Sequence, residues 1–330
     1  RERRGQGRGF RAKTVAGVMQ EFLTWFLEQE DLVIRFDSFD MEAGSSFNKD
    51  AALERYGGLC DLERGAIEAC RQSGDDLYTA LLGITASHRN ANGEYRCPAD
   101  HWREMRDSWS NHVGQELQRQ MDKQGAERYD PEDPPEKWWE YIRIAEPHKN
   151  GYAHHHIAVV TNFEVSAETF EPVIARHVEE TPSANWKAHD IHAEDPQDRC
   201  VSVNQIQPSG ADLEESVGNL SSYLSGYLSE FSDENKDDQD YTQMLDKAAH
   251  EVMFAATQWA TSSRKIDFSN GAHRLRDLGH ELRPEQYRPR THDGDGDLEA
   301  PASVRNENTG ESYVILEPGT VEMVSIEDRP

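Results

Sequence analysis

The stretch from Trp138 to Val160 constrains the fold more than any other part of this sequence. Two apolar runs, residues 138–145 and 153–160, stand on either side of the turn-forming pair Asn150-Gly151. Apolar runs joined by such a pair are typical of an antiparallel hairpin. We therefore predict two adjacent strands here, with the turn at Asn150-Gly151.

The predicted hairpin carries one carboxylate and four imidazoles between residues 146 and 156. Because side chains alternate between the two faces of a strand, His154 and His156 share one face and His155 takes the other. If the hairpin folds about its turn, Glu146 lies across from the His154 region. We predict that Glu146, His154 and His156 hold one divalent cation, with coordination positions left open for substrate.

The metal prediction does not rest on the His-x-His pair alone, since such a pair is common by chance in a chain with 14 histidines. We expect His148, in the turn, and His155, on the opposite face, to be solvent-facing or packed rather than ligands. Two imidazoles and one carboxylate suit Mn²⁺ or Mg²⁺ acting as a Lewis acid better than a closed structural zinc. Imidazole donors favour Mn²⁺ over Mg²⁺ in affinity.

The charge balance is strongly acidic, with 62 Asp and Glu against 35 Lys and Arg, a net charge of -27. Seven tryptophans and regular apolar periodicity favour a packed core over a disordered acidic chain. We interpret the acidic surface as an adaptation to concentrated salt, as in halophiles. High salt removes most of the gain from counterion release, so a nucleic-acid-binding protein there need not be basic overall. The basic run at residues 1–13 is either an arm for phosphates or a disordered tail.

Cysteine usage and hydropathy predict a reduced, cytoplasmic protein without a membrane segment. The sequence has no apolar stretch of membrane-spanning length, no secretory signal, no Walker loop and no Gly-rich dinucleotide fingerprint. The four cysteines form no CxxC pair and indicate neither a zinc ribbon nor a disulfide framework: Cys60, Cys70, Cys97 and Cys200.

Apolar periodicity predicts the other elements of secondary structure. Helices are expected at residues 14–28, 51–73, 98–124, 166–179, 212–231 and 240–262. Further strands are expected at residues 77–87, 186–193 and 200–207. Residues 264–276 stand out as a second basic segment, and the chain beyond about residue 283 as an appendage.

Two tyrosines, Tyr223 and Tyr227, lie four residues apart and therefore on one face of a predicted helix. A phenol, with a pKa near ~10, is a poor nucleophile alone. A metal-polarised phosphate would make its attack feasible and would leave a covalent phosphotyrosine. The alternative is that both side chains are core residues of an amphipathic helix.

Taken in order, these motifs resemble those of rolling-circle replication initiators in the HUH endonuclease superfamily. The motifs are Ile84-Thr85-Ala86-Ser87 after a strand, then Glu146-Pro147-His148-Lys149-Asn150-Gly151 leading into His154-x-His156, then the tyrosine pair. The two-tyrosine type is the most similar, as in the replication gene A proteins of single-stranded DNA phages and the Reps of haloarchaeal plasmids and viruses. One departure is Gly226, where the family often has lysine; Arg264 or Lys265 could supply that charge.

The resemblance implies an α+β fold, with a central, mainly antiparallel sheet flanked by helices and extra N- and C-terminal helices. It places the nuclease domain at residues 75–232, preceded by a basic arm and helices at 1–74. A C-terminal helical segment at 233–282 and an acidic, loop-rich tail at 283–330 follow.

The implied activity is metal-dependent, site-specific nicking and rejoining of single-stranded or origin DNA. Tyr223 or Tyr227 would attack the phosphate, leaving a 5′-phosphotyrosine and a 3′-hydroxyl that a host polymerase extends, with a host helicase unwinding the duplex. A two-tyrosine rolling-circle transposase would share this site. A non-catalytic metal- or DNA-binding regulator is the alternative from another class.

Overall fold

The computed structural model describes residues 13–30, 49–206 and 241–283, together with Phe47 and six short strands outside these ranges. The helices are α1 Val15–Glu30, α2 Lys49–Ser73, α3 Pro98–Ser108, α4 Gly114–Lys123, α5 Ala167–Glu180, α6 Tyr241–Thr261 and α7 Asn270–Glu281. The strands are β1 Arg3–Arg4, β2 Phe10–Arg11, β3 Leu32–Arg35, β4 Asp40–Glu42, β5 Leu77–Ile84, β6 Glu127–Arg128, β7 Trp138–Pro147, β8 Ala153–Thr161, β9 Val201–Ile206, β10 Ile266–Phe268, β11 Ser303–Asn306 and β12 Ser312–Val314. Among the described helices, none combines the length and apolarity needed to span a bilayer.

A six-stranded sheet forms the centre of the protein, with strand order β10-β7-β8-β5-β9. These five strands are antiparallel to their neighbours, and the short β6 pairs with β7 in parallel. The predicted hairpin is the pair β7 and β8 in the middle of this sheet. The predicted α+β class, with a sheet flanked by helices, is confirmed.

Helices cover both faces of the sheet, so each face has its own core. The segment from α3 to α5 packs on one face, where Trp139, Ile157 and Val159 are fully buried. Helices α2 and α7 pack on the other face, over Ile142 and Val160. Alternation along β7 and β8 assigns their side chains to these two cores.

Helices α2 and α7 touch through their backbones. A Cβ added at Gly65 would lie 1.8 Å from the carbonyl oxygen of Leu275, and one at Gly279 would lie 1.7 Å from that of Asp61. Only a residue without a side chain permits so close a crossing. Next to it, Arg283 and Arg64 both form ion pairs with the buried Asp61.

A separate aromatic cluster joins α1 to α6. It consists of Phe22, Trp25, Phe26, Phe47 and Trp259, with ring centroids between 5.2 and 6.1 Å apart. The helix predicted at 14–28 thus buries its apolar face against the helix predicted at 240–262, and both predictions are confirmed.

Several boundaries differ from the predictions. The strand predicted at 186–193 is wrong, because the Asn185 side chain accepts a hydrogen bond from Ala188 N at 3.2 Å and closes a 3₁₀ turn at Trp186–Ala188. The strand predicted at 77–87 ends at Ile84, and the helix predicted at 98–124 contains a π-helical turn at Trp109–Val113. The basic segment at 264–276 forms β10 and the start of α7. The helix predicted at 212–231 lies outside the described residues.

Candidate metal centre

The register of the β7–β8 hairpin places Glu146 directly opposite His154, and Ile144 opposite His156. The turn is a five-residue loop between Pro147 and Ala153 rather than the tight Asn150-Gly151 turn that the sequence predicts. His148 N donates to Tyr152 O at 2.8 Å, and Gly151 adopts a positive φ of 78°. A two-residue turn at Asn150-Gly151 would pair Glu146 with His155, so the odd number of residues in the observed loop is what sets Glu146 opposite His154.

Glu146, His154 and His156 come together on one face of the sheet, as the alternation predicts. One ligand atom from each lies within 4.8 Å of the others, and His156 Nε2 is 2.7 Å from Glu146 Oε1. His155 points to the opposite face, where its ring contacts Trp102. The donor set of one carboxylate and two imidazoles fits a divalent cation with open positions.

Gly83 on β5 provides the space that this arrangement needs. Gly83 pairs with His156 across the strands, and a Cβ added to it would lie 3.2 Å from His154 Nε2. A side chain there would press on the imidazole and move it away from Glu146. The glycine therefore belongs to the centre, although it contributes no donor atom.

His148 contacts a candidate ligand rather than acting as one. Its Nε2 lies 3.1 Å from His154 Nδ1 and 3.0 Å from the hydroxyl of Thr85. Burial lowers the pKa of His148 and holds that of His154 well below its usual range. Both rings are therefore neutral near pH 7, the form in which imidazole binds a metal. The sequence predicts a packed or exposed His148 but not this contact.

Three further histidines hold the segment that follows β5. His177 Nε2 donates to Thr85 O at 2.9 Å, and His189 Nε2 accepts from Thr85 N at 3.0 Å. His101 Nε2 donates to Ala86 O at 3.0 Å. The sequence does not predict the roles of these three residues, and its one signal for them is the large number of histidines, 14 in the chain. Together they fix Thr85, which in turn contacts His148.

The buried histidines predict a loss of stability in mild acid. Burial lowers the pKa of His101 and of His177 from 6.5 to about 4, so the folded protein holds them neutral. Their contribution is complete above pH 6.5 and is lost as pH falls from there towards 4. We expect the unfolding free energy to fall by about 1.4 kcal/mol per pH unit for each histidine.

Urea unfolding at a series of pH values between 7.5 and 4.5 measures this slope, at roughly one-unit steps or finer. His101→Gln provides the matched control, because glutamine cannot titrate and should reduce the slope by up to about 1.4 kcal/mol per pH unit, the contribution of one histidine. An unchanged slope in His101→Gln would contradict the prediction.

The proposed substitutes for the family's lysine lie beside β7. Lys265 O accepts a hydrogen bond from Ala145 N at 2.7 Å, which places this basic pair at the sheet edge one residue from Glu146. The Lys265 residue is buried, whereas the Arg264 side chain is exposed and lies 3.9 Å from Asp267. The predicted nucleophiles Tyr223 and Tyr227 lie outside the described residues.

Comparisons with known proteins place the chain in a family. Residues 4–285 match the model of the family described as "Putative rep protein (DUF1424)". An uncharacterized 36 kDa protein of Halobacterium salinarum is 29% identical over 277 residues, covering 81% of this chain and 78% of the relative. A second uncharacterized 36 kDa protein, from Halobacterium sp. strain GN101, is 30% identical over 280 residues, covering 81% and 77%. No solved structure matches significantly. The halophilic relatives agree with the acidic composition, and by the extent of the family match this chain belongs to the family of "Putative rep protein" chains.

Proposed function

We propose that this protein is a two-tyrosine HUH endonuclease that starts rolling-circle replication by nicking and rejoining one strand of origin DNA. The observation that carries the proposal is the Glu146–His154–His156 cluster on adjacent antiparallel strands, in a chain of a Rep family. Host helicase and polymerase would supply unwinding and synthesis.

The three residues suit a phosphodiester substrate. A divalent cation, Mn²⁺ or Mg²⁺, held by them would act as a Lewis acid on the scissile phosphate. Glu146 contributes one negative charge and the two imidazoles contribute none. A divalent cation held by these residues would therefore keep a net positive charge, which attracts the phosphate. The His148 ring contacts both the His154 ring and the Thr85 hydroxyl, and so limits the movement of His154.

The nucleophile would come from the segment between β9 and α6. Strand β9 ends at Ile206, opposite Leu77, and so at the end of the sheet far from Gly83. Helix α6 packs against the hairpin loop, since a Cβ on Gly151 would lie 2.7 Å from His250 O, while its Phe254 packs with Trp102 on the opposite face of the sheet. The described chain therefore stops at Ile206, at the far end of the sheet, and resumes at Tyr241, within about 14 Å of His250 by helical rise.

In the proposed step, the phenolic oxygen of Tyr223 or Tyr227 forms a bond to phosphorus and gives up its proton. The bond from phosphorus to the 3′ oxygen breaks, and that oxygen takes a proton to become a free 3′-hydroxyl. The 5′ end stays on the tyrosine. Attack by the second tyrosine on a regenerated origin would allow the 3′-hydroxyl to close the displaced strand.

The test is formation of a covalent adduct. The protein is incubated with a labelled single-stranded oligonucleotide from the replicon's origin and with Mn²⁺ in molar KCl, and the products are separated under denaturing conditions. We expect an adduct with the wild type and none with Tyr223→Phe combined with Tyr227→Phe. His154→Ala or His156→Ala should remove both the adduct and Mn²⁺ binding, whereas the tyrosine double variant keeps Mn²⁺ binding.

Tyr78→Phe is the control, because Tyr78 lies near the far end of β5, opposite Thr161. It should form the adduct normally. Persistent nicking by the tyrosine double variant would refute the mechanism. Mn²⁺ binding without any adduct would instead favour the non-catalytic regulator.

A further inference from the structure

Two exposed aromatic side chains lie on loops beside the metal centre. Among the described residues, Tyr95 and Trp186 are the most exposed large hydrophobic side chains, at 65% and 50%. Both loops are bonded to the segment that follows β5: Arg96 N donates to His88 O at 2.9 Å, and Ser87 N donates to Ser183 O at 2.8 Å. The segment itself contains Thr85, which contacts His148.

The Tyr95 loop is held in place from both sides. Arg89 and Tyr95 pair across it, and Arg96 forms an ion pair with Glu104 on α3. The hydroxyl of Tyr152, in the hairpin loop of the metal centre, donates to Arg96 O. A fixed backbone presents the Tyr95 ring to solvent at low entropic cost, which is what a binding surface requires.

Trp186 is fixed through a histidine. His189 N donates to Trp186 O at 3.1 Å, and the same residue's Nε2 accepts from Thr85 N. Its Nδ1 donates to Asn185 O at 2.7 Å. Two hydrogen bonds of His189 thus link Trp186 to Thr85. Among the described residues, no contact of this loop explains why so large an apolar ring is half exposed.

Each of the two loops also carries a cation. The Arg89 guanidinium lies 4.0 Å from the centre of the Tyr95 ring, and Lys187 follows Trp186 and is exposed. Neither cation forms an ion pair with a carboxylate in the part of the chain that the structure describes. In a protein with a net charge of -27, cations without such partners next to exposed rings favour an anionic, aromatic ligand.

Concentrated salt makes aromatic contacts more important for DNA binding. Salt suppresses the counterion-release gain that normally dominates the affinity for nucleic acids. Base–aromatic stacking tolerates any base sequence and does not depend on net charge. A protein that binds a strand under these conditions therefore needs exposed rings, and duplex DNA, whose bases are already stacked, cannot use them.

Resting on the proposed function, we infer that Tyr95 and Trp186 bind single-stranded DNA by stacking on bases beside the phosphate held at the metal centre. Arg89 and Lys187 contact the neighbouring phosphates. The two rings stand on different loops, so each stacks on a different base of the same strand.

Binding without cleavage tests this inference separately from the nuclease activity. The Tyr223→Phe, Tyr227→Phe double variant of the full chain is titrated into fluorescein-labelled oligothymidylate in molar KCl, with anisotropy as the readout. Adding Tyr95→Ala or Trp186→Ala should weaken binding about tenfold each. Trp186→Phe should retain most of the affinity, because it keeps a ring.

An oligonucleotide of equal length without bases identifies stacking. On this abasic strand, Tyr95→Ala and Trp186→Ala should leave the affinity unchanged. Arg89→Gln and Lys187→Gln should still weaken binding to it at low salt. Tyr56→Ala, a half-exposed tyrosine on α2, is the matched control and should bind as the parent does.

Equal losses on the normal and abasic strands, or no loss from either aromatic change, would overturn the inference. A loss on Tyr56→Ala as large as that of Tyr95→Ala would do the same. If adducts form normally while the ring variants bind as the parent does, the nuclease proposal stands and this surface is wrong. If Tyr95→Ala and Trp186→Ala weaken binding but the wild type forms no adduct, the single-stranded DNA surface stands and the nuclease proposal is wrong.

Discussion

Gly65→Ala is expected to destabilise the protein by about 3 kcal/mol or more. The added methyl carbon would overlap the carbonyl oxygen of Leu275, only 1.8 Å away, and the obstacle is backbone rather than a side chain that can rotate. Helices α2 and α7 would have to separate, which would open the core beneath them over Ile142 and Val160. Urea unfolding followed by circular dichroism measures the change.

Gly58→Ala is the matched control in the same helix. The nearest atom to its added carbon is Arg276 Cδ at 3.7 Å, an ordinary van der Waals contact. Alanine is the better helix former, so we expect this variant to be more stable by up to about 1 kcal/mol. If Gly65→Ala and Gly58→Ala behave alike, the helices do not cross at backbone contact as described.

Gly83→Val is expected to weaken divalent-metal binding about 100-fold while leaving the fold intact. Even a Cβ at this position lies 3.2 Å from His154 Nε2, and the two methyl groups of valine would push the ring away from Glu146. Gly83 does not adopt a positive φ, and valine favours a strand, so the backbone should tolerate the change. Titration with Mn²⁺, followed by electron paramagnetic resonance, measures the affinity.

Gly83→Ala should give a smaller loss, because the neighbouring imidazole needs to move by only a few tenths of an ångström. Thr79→Val is the control, since Thr79 lies on the same face of the same strand but opposite Val160, away from the cluster. It should bind Mn²⁺ normally. Wild-type affinity in Gly83→Val, with an unchanged melting temperature, would show that His154 is not a ligand.

The hairpin was predictable because its determinants are local. Alternation of apolar residues and strand parity gave the face shared by His154 and His156 and placed Glu146 across from the His154 region, while the register itself came from the five-residue loop. The strand at 186–193 was mispredicted for a related reason. Here the Asn185 side chain and the His189 ring divert the backbone hydrogen bonds from a strand.

The surroundings of Thr85 could not be predicted, because its partners come from distant parts of the chain. His148, His177 and His189 lie 63 to 104 residues away in sequence and meet only in the folded protein. Strand β10 was not predicted, because three residues are too few to establish the alternation of a strand. Its two apolar residues, Ile266 and Phe268, also lie within a segment whose basic residues dominate the pattern. A catalytic role of Tyr223 and Tyr227 stays a prediction, since both residues fall outside the described part of the chain.

The close packing of early on late segments has a consequence for synthesis of the protein. Helix α1 packs on α6, and helix α2 packs on α7. Strand β10 forms one edge of the central sheet, whose longer strands all end by residue 206. A nascent chain must therefore wait for residues near 261 to leave the ribosome before α1 finds its partner, and for residues near 281 before α2 finds α7. Until then the side of α2 that contacts α7 is uncovered, so chaperone binding to the growing chain should concentrate on that surface. The chain would thus finish folding only when its translation is nearly complete.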